Sequence, residues 1–249
     1  MEKADMIYGT RAVIEAIVAG KTIEKVMVQS GMNNDLIREL IQVAREHKVH
    51  VTFIPPEKFK KISAKNHQGV ICILSAVNYA SVENMIDKAF SEGREPFLLL
   101  LDRITDVRNF GAIARTAECA GVDAIVVPDK GNAPITSDAM KTSAGALNHI
   151  TVCKERDLKR TMKTLRESGI RVIACTEKTD KNIYDINLSG PIAIIMGSEE
   201  DGISDTLLRD ADELARIPLH GKIESLNVSV AAGVAMYEVI RQRGKEKSA

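Results

Sequence analysis

The chain has 249 residues, of which 45% are hydrophobic and 27% charged, and its 34 Lys and Arg balance 34 Asp and Glu. Such a length and apolar content suffice for one large or two modest domains with packed cores and exclude a disordered chain. Zero formal charge excludes a molecule that gathers polyanions by its overall field, so any contact with nucleic acid must come from local patches. The four cysteines, Cys72, Cys119, Cys153 and Cys175, lie far apart beside apolar segments, without CxxC or Cys/His ligand spacing. They are expected as buried, reduced thiols, with no metal site. No apolar leader opens the sequence and no segment is long enough to span a bilayer, so a cytoplasmic protein without membrane contact is expected.

In chain order, Thr10 to Ala19 carries apolar residues at helical spacing and ends at Gly20, and Lys25 to Gln29 reads as a strand. Leu36 to His47 is an amphipathic helix, Val49 to Ile54 a strand, Pro55-Pro56 opens a short basic helix, and Val70 to Val77 is a third strand. Residues 1–78 are therefore expected as a small α/β domain, mildly basic with eleven Lys and Arg against eight Asp and Glu. Its run of Lys58, Lys60, Lys61 and Lys65 with His67 reads equally as an RNA-facing patch or a solvated helix face. Residues 79–95 are expected as a linker that includes a Ser-capped helix from Ser81 to Gly93.

At Pro96 the pattern changes. The unbroken apolar run Phe97 to Leu101 is that of a strand buried on both faces. Further strands are expected at Ala124 to Val127, Ile150 to Val152, Val172 to Cys175, Ile192 to Met196 and Leu214 to Ile217. Helices are expected between them, at Phe110 to Ala120, Asp138 to Ala146, Asp157 to Glu167 and Asp205 to Asp210. Strands alternating with helices make residues 96–249 an α/β domain with a mostly parallel sheet, whose ligands lie at the carboxyl ends of the strands. A last helix begins near Asn227, with Val228, Val230, Ala231, Ala232, Val234, Ala235 and Met236 leaving no polar face. It should be buried both by its own sheet and by a partner surface, with a polar face returning at Glu238, Arg241 and Arg243.

Three stretches at strand ends carry polar groups. Asp106 to Gly121 places Asn109 at a helix start, where it is either a cap or a site residue, and Arg115 off the apolar stripe of Ile113, Ala117 and Ala120. Gly197-Ser198-Glu199-Glu200-Asp201-Gly202-Ile203-Ser204 follows a buried strand, and its three acids do not suit phosphate binding. Ile217 to Gly233 adds Ser225 and Asn227. Neither GxxxxGK[ST] nor a GxGxxG after the Phe97 strand is found, which disfavours a nucleoside triphosphatase or a dinucleotide-dependent dehydrogenase.

The strings DVRNFGAIARTAECAG, GSEEDGIS and IPLHGKIESLNVSVAAG, in this order, resemble the three motifs of the SpoU/TrmH branch of the SPOUT RNA methyltransferases. Ile7-Tyr8-Gly9 and His67-Gln68-Gly69-Val70 are similar to the amino-terminal substrate-binding domain of its bacterial ribosomal members, so the likeness covers about the whole chain. It departs from the usual motif at Val107-Arg108, where a proline and a variable residue are common. The resemblance implies a trefoil-knotted methyltransferase domain, a homodimer with active sites beside the interface, and S-adenosylmethionine as cofactor. It places the cofactor at Gly197, Ile217 and Leu226, and the transfer chemistry at Asn109, Arg115, Glu199, Ser225 and Asn227, without a metal. The implied reaction is methylation of a ribose 2′-hydroxyl, of a guanosine in large-subunit ribosomal RNA, with transfer RNA as the alternative substrate and a non-catalytic RNA-binding or ribosome-assembly protein as the alternative class.

Overall fold

The computed structural model describes residues 5–62 and 67–246, without the side chains of Lys60, Lys61, Lys245 and Glu246. The basic run is thus outside the described residues at Lys65 and in the side chains of Lys60 and Lys61, while Lys58 is exposed. The chain divides into two compact units, one comprising the residues up to Asn78 with Pro134–Asp138, the other the remainder. Among the described residues no helix is long and apolar enough to cross a membrane.

The first unit runs β1 (Met6–Tyr8), α1 (Thr10–Val18), β2 (Ile23–Gln29), α2 (Asp35–Glu46), β3 (Val51–Ile54), α3 (Pro56–Ile62) and β4 (Val70–Leu74). Its sheet has the order β1-β4-β2-β3, with β4 antiparallel to both neighbours and β2 parallel to β3. Side chains alternate across β2: Val26 and Val28 pack with Val13, Ile17, Ile37 and Leu40 of the two long helices, while Met27 joins Phe59, Ile71 and Ile73 on the opposite face. The strand β1 escapes a reading by periodicity because three residues are too few to show alternation.

The second unit holds β5 (Tyr79–Ala80), α4 (Val82–Ser91), β6 (Phe97–Leu101), α5 (Val107–Cys119), β7 (Ala124–Pro128), α6 (Ser137–Thr142, its first two residues counted with the first unit), β8 (Thr151–Glu155) and α7 (Leu158–Glu167). It continues through β9 (Arg171–Cys175), β10 (Ile192–Met196), α8 (Asp205–Asp210), β11 (Glu213–Ala215) and α9 (Val228–Glu246). All pairings in the seven-stranded sheet β11-β9-β10-β6-β7-β8-β5 are parallel. Strand order runs outward in opposite directions from the β10/β6 pair, so the switch point of this α/β sheet lies between those two strands. Helices α4, α7 and α8 cover one face through Ile86, Leu158, Met162, Leu165 and Leu207, whereas α9 lies against α5 and β10.

The chain leaves β10 through α8, reaches the edge strand β11 beyond β9, and returns to α9 through residues 216–227. On the way back the Arg216 N–H donates to Lys181 O and the Ile183 N–H to Arg216 O, which seats the returning segment against the β9–β10 connection. Outward passage through one helical layer and return through the other, around a connection already laid down, is the arrangement a trefoil needs.

Several local expectations change. Residues 79–95, expected as a linker, supply β5 and α4, with Val82 and Ile86 buried in the larger core. Helix α6 stops at Thr142 because Ala144 and Gly145 take positive φ, 51° and 85°. Cys119 is exposed on the outer side of α5, while Cys72 and Cys153 are buried. Of the polar residues expected on the surface of α9, Arg241 is exposed as expected, whereas Glu238 and Arg243, together with Gln242, fasten the helix. Glu238 is buried and accepts from Arg241 and Gln242, Gln242 also bonds Leu188 N and Ile186 O, and Arg243 donates to Pro96 O and Gly190 O. One stripe of α9, Val228, Ala232, Ala235, Met236 and Val239, is buried, but Val230 and Tyr237 are 53% and 52% exposed, so within one chain the second apolar face is open.

Candidate active site

Helix α5 starts three residues earlier than its apolar spacing suggests, because Asp106 is the cap. Its carboxylate accepts from the N–H groups of Arg108 (2.7 Å) and Asn109 (2.9 Å). The Asn109 side chain is thereby released from capping, and its Oδ1 accepts from Asn227 Nδ2 at 3.1 Å. The same Asn227 amide donates to Glu199 Oε1 at 2.7 Å, and Asn227 Oδ1 accepts from the N–H and hydroxyl of Ser229 at the start of α9. One side chain from each of the three motif stretches meets at this point, beside the carboxyl ends of β6 and β10.

The loop after β10 is built to close tolerance. Ser198 and Gly202 exchange backbone hydrogen bonds of 3.1 and 3.0 Å, and Ser198 Oγ accepts from Asp201 N. A Cβ at Gly197 would lie 2.1 Å from Gly202 C and 2.2 Å from Ile203 N, so glycine is required by the return of the loop upon itself. Ser204 precedes α8 without a side-chain cap bond; instead its N–H donates to the buried carboxylate of Asp102 at 2.8 Å. Asp102 also accepts from Arg103, which reaches on to Asp201 Oδ2 and Gly202 O, both at 3.1 Å. The Asp102 hydrogen bond holds the Arg103 guanidinium firmly protonated. Arg103 has φ of 61°, a left-handed conformation that costs an L-residue about 1–2 kcal/mol.

Two cavities flank the contact. The larger, about 510 Å³, lies between the 197–202 loop and residues 216–228, and its walls include Thr176, Glu177, Leu219 and Leu226. The smaller, about 290 Å³, is bounded by Arg103, Asp106, Asn109 and Glu199. Volumes of this size suit small-molecule sites; the smaller lies at the switch point and the larger beside it, at the carboxyl ends of β9 and β10. Cys175, in the wall of the larger cavity, has its thiol pushed up to about 12 by burial and by nearby Glu177, so it is a neutral lining group there. Among the described residues no cluster of His, Cys, Asp or Glu could hold a metal ion.

The structure brings Asn109, Glu199 and Asn227 into contact, and puts Gly197, Ile217, Ser225 and Leu226 in the wall of the larger cavity. Arg115 lines neither cavity. It is exposed on α5, six residues beyond Asn109, about 9 Å along the helix and roughly 120° round it. Periodicity missed Asp102 and Arg103; the available signal was a charged pair closing an all-apolar strand, where a buried carboxylate demands partners.

Comparison with known proteins adds two family matches: SpoU rRNA Methylase family over residues 96–237, and RNA 2′-O ribose methyltransferase substrate binding over residues 6–80. An uncharacterized tRNA/rRNA methyltransferase of Synechocystis is 36% identical over 99% of this chain, which spans 65% of that protein's length. A Staphylococcus saprophyticus protein assigned to the TrmH family of tRNA/rRNA methyltransferases is 33% identical over 96% of both chains. Among solved structures, the AdoMet-bound rRNA methyltransferase from Sinorhizobium meliloti matches with a TM-score of 0.60 and 25% identity, over 95% of this chain and 86% of that one. Motif order, sheet topology and these matches along nearly the full chain agree, and the protein belongs to the SpoU rRNA Methylase family.

Proposed function

We propose that this chain is an S-adenosylmethionine-dependent RNA 2′-O-ribose methyltransferase acting in the cytoplasm as a homodimer, with a guanosine of large-subunit ribosomal RNA as its target. The observation that carries the reading is the convergence of Asn109, Glu199 and Asn227 between two cavities at the switch point of the sheet. The larger cavity fits the cofactor in both size and chemistry. Leu219 and Leu226 offer apolar surface to an adenine ring, and the acids at Glu177, Glu199 and Glu200, which would repel a phosphate, suit a sulfonium and an ammonium group. Gly197, Ile217 and Leu226 would hold it by their backbone.

When bound, S-adenosylmethionine supplies a methyl group on a cationic sulfur, open to in-line attack by a ribose oxygen. This chain's residues must align that oxygen and ease the loss of its proton. The smaller cavity takes the ribose; Asn109 and Asn227 orient the hydroxyl, Glu199 fixes the Asn227 amide, and Ser225 lines the cofactor side. A guanidinium is a poor base and a good planar clamp, which suits Arg115 to the target phosphate and to negative charge on the attacking oxygen. Its place outside both cavities, and the open apolar face at Val230 and Tyr237 on α9, support delivery of Arg115 to the site of a second copy. The amino-terminal unit holds the RNA.

The direct test is transfer of labelled methyl to unmethylated large-subunit and transfer RNAs, followed by nucleoside digestion. Label in 2′-O-methylguanosine of the ribosomal RNA is expected. Label in transfer RNA alone would replace the substrate, a second reading that the tRNA/rRNA names of the relatives keep in view. Absence of label with intact cofactor binding would leave an RNA-binding protein. In the same assay, Arg115→Ala and Asn227→Ala subunits, each inactive alone, should regain about a quarter of wild-type activity when mixed, since half the dimers then carry one complete site. No recovery would place Arg115 in the site of its own chain.

A further inference from the structure

Arg103 has no part in the reaction as described, yet it is the side chain that ties the end of β6 to the loop after β10. Its backbone is left-handed, a state that a non-glycine residue keeps only where its surroundings hold it. Its guanidinium is shared between two anchors. On one side Nε and Nη2 donate to the two oxygens of Asp102, at 3.2 and 3.4 Å. On the other, Nη1 donates to Asp201 Oδ2 and Nη2 to Gly202 O, both at 3.1 Å. Asp102 in turn accepts from Ser204 N. Glu199, whose carboxylate accepts from Asn227, lies in the span that these contacts close.

We propose that Arg103 is a positioning residue for methyl transfer: its planar fork fixes the 197–204 loop so that Glu199 meets Asn227 and the two asparagines keep their register at the smaller cavity. The proposal rests on the methyltransferase reading above. A fork is needed because one group must serve a carboxylate on one side and a second carboxylate with a backbone carbonyl on the other, which the single ammonium of lysine cannot do with the same geometry. The guanidinium also offsets the charge of Asp201, one of the three adjacent acids of this loop.

Arg103→Gly removes the fork and suits the left-handed backbone. In the protein without ligand, amide exchange across residues 198–204 is expected to rise about tenfold. Single-turnover transfer at saturating RNA and cofactor is expected to fall about tenfold. Combined with Glu199→Gln, the double variant should be no slower than the slower single one, because both act through one contact. Unchanged exchange, faster exchange with a normal transfer rate, or losses that multiply would each overturn the proposal, the last by assigning Arg103 a merely structural role. Should Arg103→Gly fail to fold, Asp201→Ala, on an exposed carboxylate, is expected to raise exchange and slow transfer by about threefold, again without multiplying the Glu199→Gln loss. A wild-type protein that transfers no methyl would sink the methyltransferase reading, and the exchange measurement would still judge the clamp.

Discussion

Two loops form opposite walls of the larger cavity, and they are built in opposite ways. Residues 197–204 are held by a backbone exchange between Ser198 and Gly202, by the Arg103 fork and by the Asp102–Ser204 bond. Residues 218–226 leave a seating at Arg216 and enter α9 at Val228, but among the described residues no hydrogen bond holds the stretch between. Leu219, Ile223 and Leu226 are 41%, 77% and 40% exposed. One wall is thus assembled before any ligand arrives, and the other has apolar surface still to bury. Preorganisation is useful where hydroxyl and methyl must be aligned, and mobility is useful where a cofactor must enter and leave.

Breaking the rigid wall should have the largest effect. Gly197→Ala forces a methyl into the backbone at Gly202 and Ile203, with an expected loss of about 1–3 kcal/mol in stability together with loss of cofactor binding. Calorimetry and cofactor titration read the two effects, and a variant as stable and as tight as wild type would show the loop to be more yielding than its contacts indicate. A smaller effect should sharpen the contrast from the other side. Saturating S-adenosylmethionine is expected to slow proteolysis within residues 218–226 by about tenfold, while exchange across 198–204 changes little because that loop is already closed. Equal protection of both loops would mean that the two walls order together.

How far the site could be read from the sequence follows the same division. Asn109, Glu199 and Asn227 stand out as polar residues at strand ends, and the structure joins them. Asn109 reaches the contact because Asp106 does the capping, where spacing left Asn109 open between cap and site residue. Arg115 is equally prominent in sequence but is turned away from the cavities by the helical repeat, since a position six residues on cannot share the face of Asn109. Arg103 is inconspicuous in sequence, because its importance lies in contacts with residues almost a hundred positions later.

By itself the sequence determined the parallel α/β class and the strand-end location of the polar groups. These follow from local rules: unbroken apolar runs make doubly buried strands, and the end of such a run is where the chain meets solvent. Tertiary structure alone decided the strand order, the inclusion of residues 79–95 in the larger unit, and the burial of Glu238 beside Gln242, whose amide reaches Ile186 and Leu188. It also decided which face of α9 its own sheet covers and which it leaves open. These depend on pairing across long stretches of chain, where the partner of a strand or a charge is chosen by the geometry of the whole sheet and cannot be read from neighbours in sequence.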